Sequence, residues 1–170
     1  MQRPPAEGAE LSAFPFEQVR QGTLWYRAHR RALGPWFYAC SGDGRFDLSD
    51  PDGICYLAGS AENAAREVIG PDIMGAGAVP SSFVAQRQVS FLLMPREVKL
   101  AHVSCDGAFP FGITGELTTM DDFGVPQQWA EAFHAHGFGG VRYRPRFSPR
   151  GQAWCRGSVR GSRSAPGCPA

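Results

Sequence analysis

Residues 53–71 read GICYLAGSAENAAREVIGP, and this stretch decides the fold. The run Ile54 to Ala58 is apolar throughout and of strand length, as expected of a central strand covered on both faces. Gly59-Ser60 breaks it. Ser60 suits the N-cap of a helix, Glu62 complements the positive end of the helix dipole, and Gly70-Pro71 reads as the stop. From Tyr56 the strand advances about 10 Å to Gly59, at about 3.3 Å per residue. The helix from Ala61 to Glu67 then climbs about 10 Å back, at 1.5 Å per residue. Glu67 therefore returns to the level of Tyr56 if the helix packs on its own strand. Ala61, Ala64, Ala65 and Val68 share the buried face, and Glu67 lies roughly 120° from its middle, at a cleft edge.

Arg45 precedes Tyr56 by the same spacing that separates Tyr56 from Glu67, and it lies in the turn-rich "GDGRFD". Loop, strand and helix would thus each offer one polar side chain. Taken singly, each has a plain structural reading: a loop cap, a core aromatic, a solvated helix glutamate. Together they suit one chemistry. Arginine clamps phosphate bidentately. Tyrosine stacks on a flat heterocycle. A carboxylate accepts from a ribose hydroxyl and stabilises positive charge developing at an anomeric carbon.

Further out, "GTLWYRAHR" alternates as a strand, and residues 34–53 read as a long loop. "QRQVSFLLMP" and "EVKLAHVS" read as two strands joined around Pro95-Arg96 in a hairpin. "GVPQQWAEAFHAHG" reads as a helix with Pro126 in its first turn, Gly137 after its end, and a stripe of Trp129, Ala132, Phe133 and His136. "GGVRYRPRF" closes the set as a strand. Strands outnumber helices without regular alternation, so the class is α+β. Residues 1–13 read as a loose lead-in, 14–148 as the single folded domain, and 149–170 as an Arg/Gly/Ser/Pro-rich tail expected to be disordered.

The bulk numbers agree with a globular chain: 170 residues, 43% hydrophobic, 19% charged. A net charge of +1 argues against a general nucleic-acid binder, although seven arginines and no acidic residue follow Gly140. Five cysteines, odd in number and without a CxxC pair, suggest neither a disulfide framework nor a zinc site, and a reduced cytoplasmic setting is expected. No apolar h-region and no membrane-length apolar run are present in the sequence. His134 and His136 stand two apart on a helix, about 200° around its axis, so no shared metal is expected. Cys55 reads as a buried small residue rather than a nucleophile.

Four segments, "LWYRAH", "GDGRFD", "GICYLAGSAENAAREVIG" and "GGVRYRPRF", in this order and spacing, resemble the RES domain family over residues 22–148. The resemblance implies a split, mainly antiparallel sheet flanked by short helices, similar to ADP-ribosyltransferases. It implies a toxin of a toxin–antitoxin pair that cleaves the nicotinamide–ribose bond of NAD, with inorganic phosphate or water as acceptor. By the same likeness Arg27 and Arg45 would bind phosphates, Tyr56 would stack near nicotinamide, and Glu67 would hold the reacting ribose. The family's serine falls nearest Ser148, because the stretch after Tyr143 reads Arg144-Pro145-Arg146-Phe147-Ser148 with Pro145 at the expected place. NAD would be a substrate, with no permanent cofactor and no metal. A helix-turn-helix antitoxin is the implied partner, a homodimer is left open, and neither membrane nor direct nucleic-acid binding is expected. Two other readings stand beside it: ADP-ribose transfer to a macromolecule, and an inactive relative that only binds a partner or nucleic acid.

Overall fold

The computed structural model describes residues 1–148, 151 and 153–157. Seven strands form one sheet in the order β1-β5-β6-β7-β3-β2-β4, with β1 Phe16–Val19, β2 Leu24–Arg30, β3 Ile54–Ala58, β4 Arg87–Leu93, β5 Val98–His102, β6 Gly140–Tyr143 and β7 Ala153–Gly157. Only β5 and β6 run parallel; every other neighbouring pair is antiparallel. Among the described residues three α-helices, α1 Ala61–Ala76, α2 Ser81–Ala85 and α3 Gly124–Ala135, complete an α+β domain. The sheet is pinched between β3 and β2, where the described register holds one residue pair, Tyr26 with Ala58.

The central strand is as its sequence requires. On one face Ile54 joins a core with Phe46, Trp129, Phe133 and Val141, while on the other Cys55 and Leu57 join Trp25, Leu92 and Trp154. Alternation along β3 thus divides two cores between the faces of a single sheet.

Several expectations are corrected. The tail boundary at residue 148 fails, because residues 153–157 form β7, wholly buried between β6 and β3. Its sequence AWCRG hides this: Arg156 breaks the apolar run, yet its guanidinium donates to the Tyr38 hydroxyl and lies over the Trp36 ring. The remainder of that expected tail, 149–150, 152 and 158–170, lies outside the described residues. The lead-in 1–13 is docked rather than loose, with Leu11 and Gln2 buried and the Arg3 carbonyl accepting from the Trp129 indole at 2.8 Å. β4 and β5 do not form a hairpin: β4 pairs with β2, and β5 lies between β1 and β6. A short apolar strand finds its partner by burial across the sheet, which sequence adjacency does not fix.

α1 begins as expected, with the Ser60 hydroxyl accepting from Asn63 N at 3.1 Å, but it runs past Gly70-Pro71 to a left-handed Gly77. The proline forfeits one intrahelical hydrogen bond, while packing on β2, β3 and β4 carries the helix onward. Gly70 serves another purpose. A Cβ there would meet the Phe147 ring at 2.4 Å, so the glycine lets residues 146–148 lie directly on α1.

Candidate active site

Where β2 and β3 part, a cleft of about 630 Å³ opens over the face that carries Tyr56. Such a volume suits a small-molecule ligand. Arg27, Arg45, Tyr56 and Glu67 all border it, so the loop, strand and helix do converge. Tyr143, Arg146, Phe147 and Phe123 complete the walls.

Glu67 projects from α1 as a half-buried residue. Its Oε1 accepts from Phe147 N at 2.9 Å, a contact that the Gly70–Phe147 packing makes possible. Burial raises the carboxyl above its ordinary range. The Phe147 and Arg146 amides, the Arg45 charge and Ser148 pull in the opposite direction. A carboxylate poised in this way can meet developing positive charge in a partly dry site.

Arg45 is presented by a braced turn. Gly44 N donates to Asp47 Oδ2 at 2.9 Å, the Tyr56 hydroxyl donates to Asp47 Oδ1 at 2.9 Å, and Phe46 N donates back to the same hydroxyl at 2.9 Å. Gln127 Nε2, from α3, donates to the Gly42 and Gly44 carbonyls at 2.8 and 2.9 Å. Gly44 is required here, since a Cβ would meet Asp47 Oδ1 at 2.2 Å and the Tyr56 hydroxyl at 2.4 Å. The guanidinium lies 4.7 Å from the Phe123 ring centre and donates to the Met120 carbonyl. Desolvation lowers the Arg45 pKa, and the nearby Arg146 charge lowers it further. Burial likewise raises Asp47, and it holds the Tyr56 and Tyr143 phenols far above their ordinary values.

The ring of Tyr56 therefore borders the cleft while its hydroxyl holds the arginine loop. Arg27 borders the cleft too, but its Nη1 donates to the Pro35 carbonyl at 2.8 Å, the Phe37 carbonyl at 2.5 Å and Cys55 Sγ at 3.0 Å. Cys55 points to the face opposite Tyr56, so the guanidinium is anchored away from Arg45. Ser148 does not line the cleft. It is 3% exposed, behind Glu67, where its hydroxyl favours the carboxylate without an aligned hydrogen bond of its own.

Arg146 and Asp47 join the site beyond the sequence candidates. Asp47 stood inside "GDGRFD", where an aspartate three residues after a turn glycine signals a side-chain-to-backbone bond. Arg146 had no such signal, because Arg142, Arg144 and Arg146 alternate and only the fold turns the last one over the cleft. Its Nη1 also pairs with Asp121 at 2.6 Å. Away from the site, His134 pairs with Asp52 at 3.4 Å and His136 Nδ1 lies 2.8 Å from the Ala132 carbonyl, so the two have separate partners. Burial pushes the Cys55 thiol up to about 11.

Among the described residues no helix is long and apolar enough to cross a membrane. No curated protein matches the chain. Among solved structures it is similar to a chain of the M. tuberculosis MbcT–MbcA toxin–antitoxin complex, with a TM-score of 0.67 and 15% identity over 88% of this chain and 81% of that one. At that identity the likeness concerns the fold, a single mainly antiparallel sheet with short helices. The family model of the RES domain matches residues 24–155, which takes in the arginine loop and the glutamate helix and reaches into the buried last strand. With most of its length matched by that model, the chain belongs to the RES domain family.

Proposed function

We propose that the protein is a toxin-like enzyme that cleaves the nicotinamide–ribose bond of NAD in the cytoplasm, passing ADP-ribose to inorganic phosphate or to water. The observation that carries this reading is the pairing of a half-buried carboxylate with an adjacent, partly desolvated arginine in one ligand-sized cleft. Arg45, joined by Arg146, would hold phosphate oxygens of NAD or of the acceptor. Glu67 would accept from the nicotinamide ribose and stabilise the oxocarbenium-like state as the C–N bond breaks. The bond's electron pair leaves with neutral nicotinamide, and a phosphate or water oxygen then bonds to the anomeric carbon, the proton of the attacking oxygen passing to solvent. Tyr56 offers its ring to a flat base, and its hydroxyl keeps the Arg45 loop in place. Arg27 adds positive potential from the border, and Ser148 acts through Glu67. An activity of this kind fits membership in the RES domain family and a fold shared with a chain of a toxin–antitoxin complex. It also implies an antitoxin, of helix-turn-helix type, that keeps the cleft closed.

The test is nicotinamide release from NAD by the purified protein, with and without phosphate, beside Glu67→Gln. We expect phosphate-stimulated release and a loss of about 10²–10³-fold in the variant, the scale for removing one group that acts mainly in the transition state. Release that persists in Glu67→Gln, or none from folded wild type at any phosphate concentration, overturns the proposal. ADP-ribose recovered on a macromolecule would name a different acceptor for the same site.

A further inference from the structure

β4 forms one end of the sheet, and no described strand pairs with its outer edge. Edge strands are ordinarily short, charged, bulged or interrupted by proline. This one is seven residues long, reads RQVSFLL and has none of these protections after Arg87. Its register with β2 places Leu24 opposite Leu93, Tyr26 opposite Phe91 and Ala28 opposite Val89, all on one face. That apolar ladder is largely in solvent: Phe91 is 74% exposed, Leu93 58%, Leu24 46% and Val89 44%. At its far end Val68 and Ile69 of α1, Phe83 and Val84 of the α2 segment and Val89 line an apolar pocket of about 140 Å³. A contiguous patch of this kind marks an interaction surface.

Charge identifies the occupant. The segments 20–36 and 81–97, which supply both strands of the ladder, contain Arg20, Arg30, Arg31, Arg87 and Arg96 around the patch and a single acid, Glu97; α1, beside the pocket, adds Glu62 paired with Arg66, and Glu67, which borders the other cleft. Register puts Arg30 and Arg87 at one end of the ladder, and the turn residues Arg20 and Arg96 lie at the other. A second copy pairing antiparallel across β4 would set one basic end against the other, and a parallel pair would set like against like. Residues 158–170 carry Arg160 and Arg163 with no acid, so charge speaks against them as well. We infer that the β4 edge is a docking strand for an extended, acidic segment of a partner protein. The segment adds a strand to the sheet, seats apolar side chains on the Phe91–Leu93 ladder and in the pocket, and meets the arginines at both ends.

A fluorescent peptide alternating valine with glutamate is the probe, and the same peptide with lysine for glutamate is the control. Anisotropy titrations should show that the full chain binds the acidic peptide alone and that binding weakens as salt rises. Phe91→Ser and Leu93→Ser should each weaken it about tenfold or more, which corresponds to about 1.4 kcal/mol. Amide exchange should slow across 87–93 when the peptide is added. Both substitutions lie on exposed positions and should leave the fold intact. Equal binding of the lysine peptide, undiminished binding by both variants, or no binding of either peptide overturns the inference. So does a wild-type dimer that Phe91→Ser splits, because the face would then be a self-interface.

Discussion

Two pairs of arginines flank the middle of the sheet, one pair on each face, and they have opposite fates. Over β3, Arg45 and Arg146 stand at an open cleft beside Glu67. On the other face Arg27 is anchored on two loop carbonyls and a thiol, and Arg156 lies on Trp36 and Tyr38 with its Nε buried and unpartnered. The residue type is the same throughout. What separates the two pairs is surroundings: Arg45 and Arg146 stand at empty space, with the Arg45 charge within electrostatic reach of Glu67, whereas loop carbonyls and rings cover the other two. Desolvation lowers the pKa of Arg45.

Substitution should split the two faces. Arg45→Ala should lower kcat/KM for NAD by about 10–100-fold, or about 1.4–2.7 kcal/mol, with thermal stability nearly unchanged. Arg27→Ala should instead cost about 1–3 kcal/mol of stability, because the Pro35 and Phe37 carbonyls lose their donor, and it should move KM far less. A rise in KM as large as that of Arg45→Ala would mean that the guanidinium turns into the cleft when NAD binds, and the contrast would collapse.

Tyr56→Phe separates stacking from bracing. It keeps the ring but removes the hydroxyl shared by Phe46 N and Asp47 Oδ1. A loss of about 1–2 kcal/mol in stability, with a raised KM as Arg45 drifts, is expected. Unchanged stability and KM would leave the ring as the sole contribution.

Glu67 sharpens the comparison through pH. Its folded pKa is raised, chiefly by burial, and the proposed mechanism needs the carboxylate, so under that proposal kcat/KM should fall on acidification at a pH above the ordinary glutamate range. Removing Arg45, whose charge lowers that pKa, should move the limb higher still. For stability the sign is reversed. A raised folded pKa means that the favourable contribution holds below the unfolded value and is lost as pH rises through the folded one. Glu67→Gln should therefore raise Tm at neutral pH, and the gain should shrink on acidification. A variant less stable than wild type at neutral pH would remove desolvation as the dominant cause. The smallest effect belongs to the face opposite Tyr56: Arg156→Met should change stability by less than about 1 kcal/mol and leave NAD kinetics alone, as apolar replacement of a buried charge often does.

What the sequence determined is local. Ser60 as a cap, the apolar run of β3 and the rise of α1 bring Glu67 back to Tyr56 by chain geometry alone, and the helix over Trp129 and Phe133 follows from its own stripe, although Pro126 and Ala130 complete its buried face and His136 is exposed. The family likeness rests on the β3–α1 stretch together with "LWYRAH", "GDGRFD" and "GGVRYRPRF". Only the tertiary structure decided the rest. It put AWCRG in the centre of the sheet because partners far along the chain, Tyr38 and Trp36, cover the one charge that argued against burial. It separated β4 from β5, because pairing across a sheet is chosen by buried area and not by adjacency. It sent Arg27 and Arg45 to different faces, moved Ser148 behind the carboxylate and gave Gly70 to Phe147 instead of to a helix end. Each of these depends on which distant atoms come within contact distance, and that is fixed only when the sheet closes.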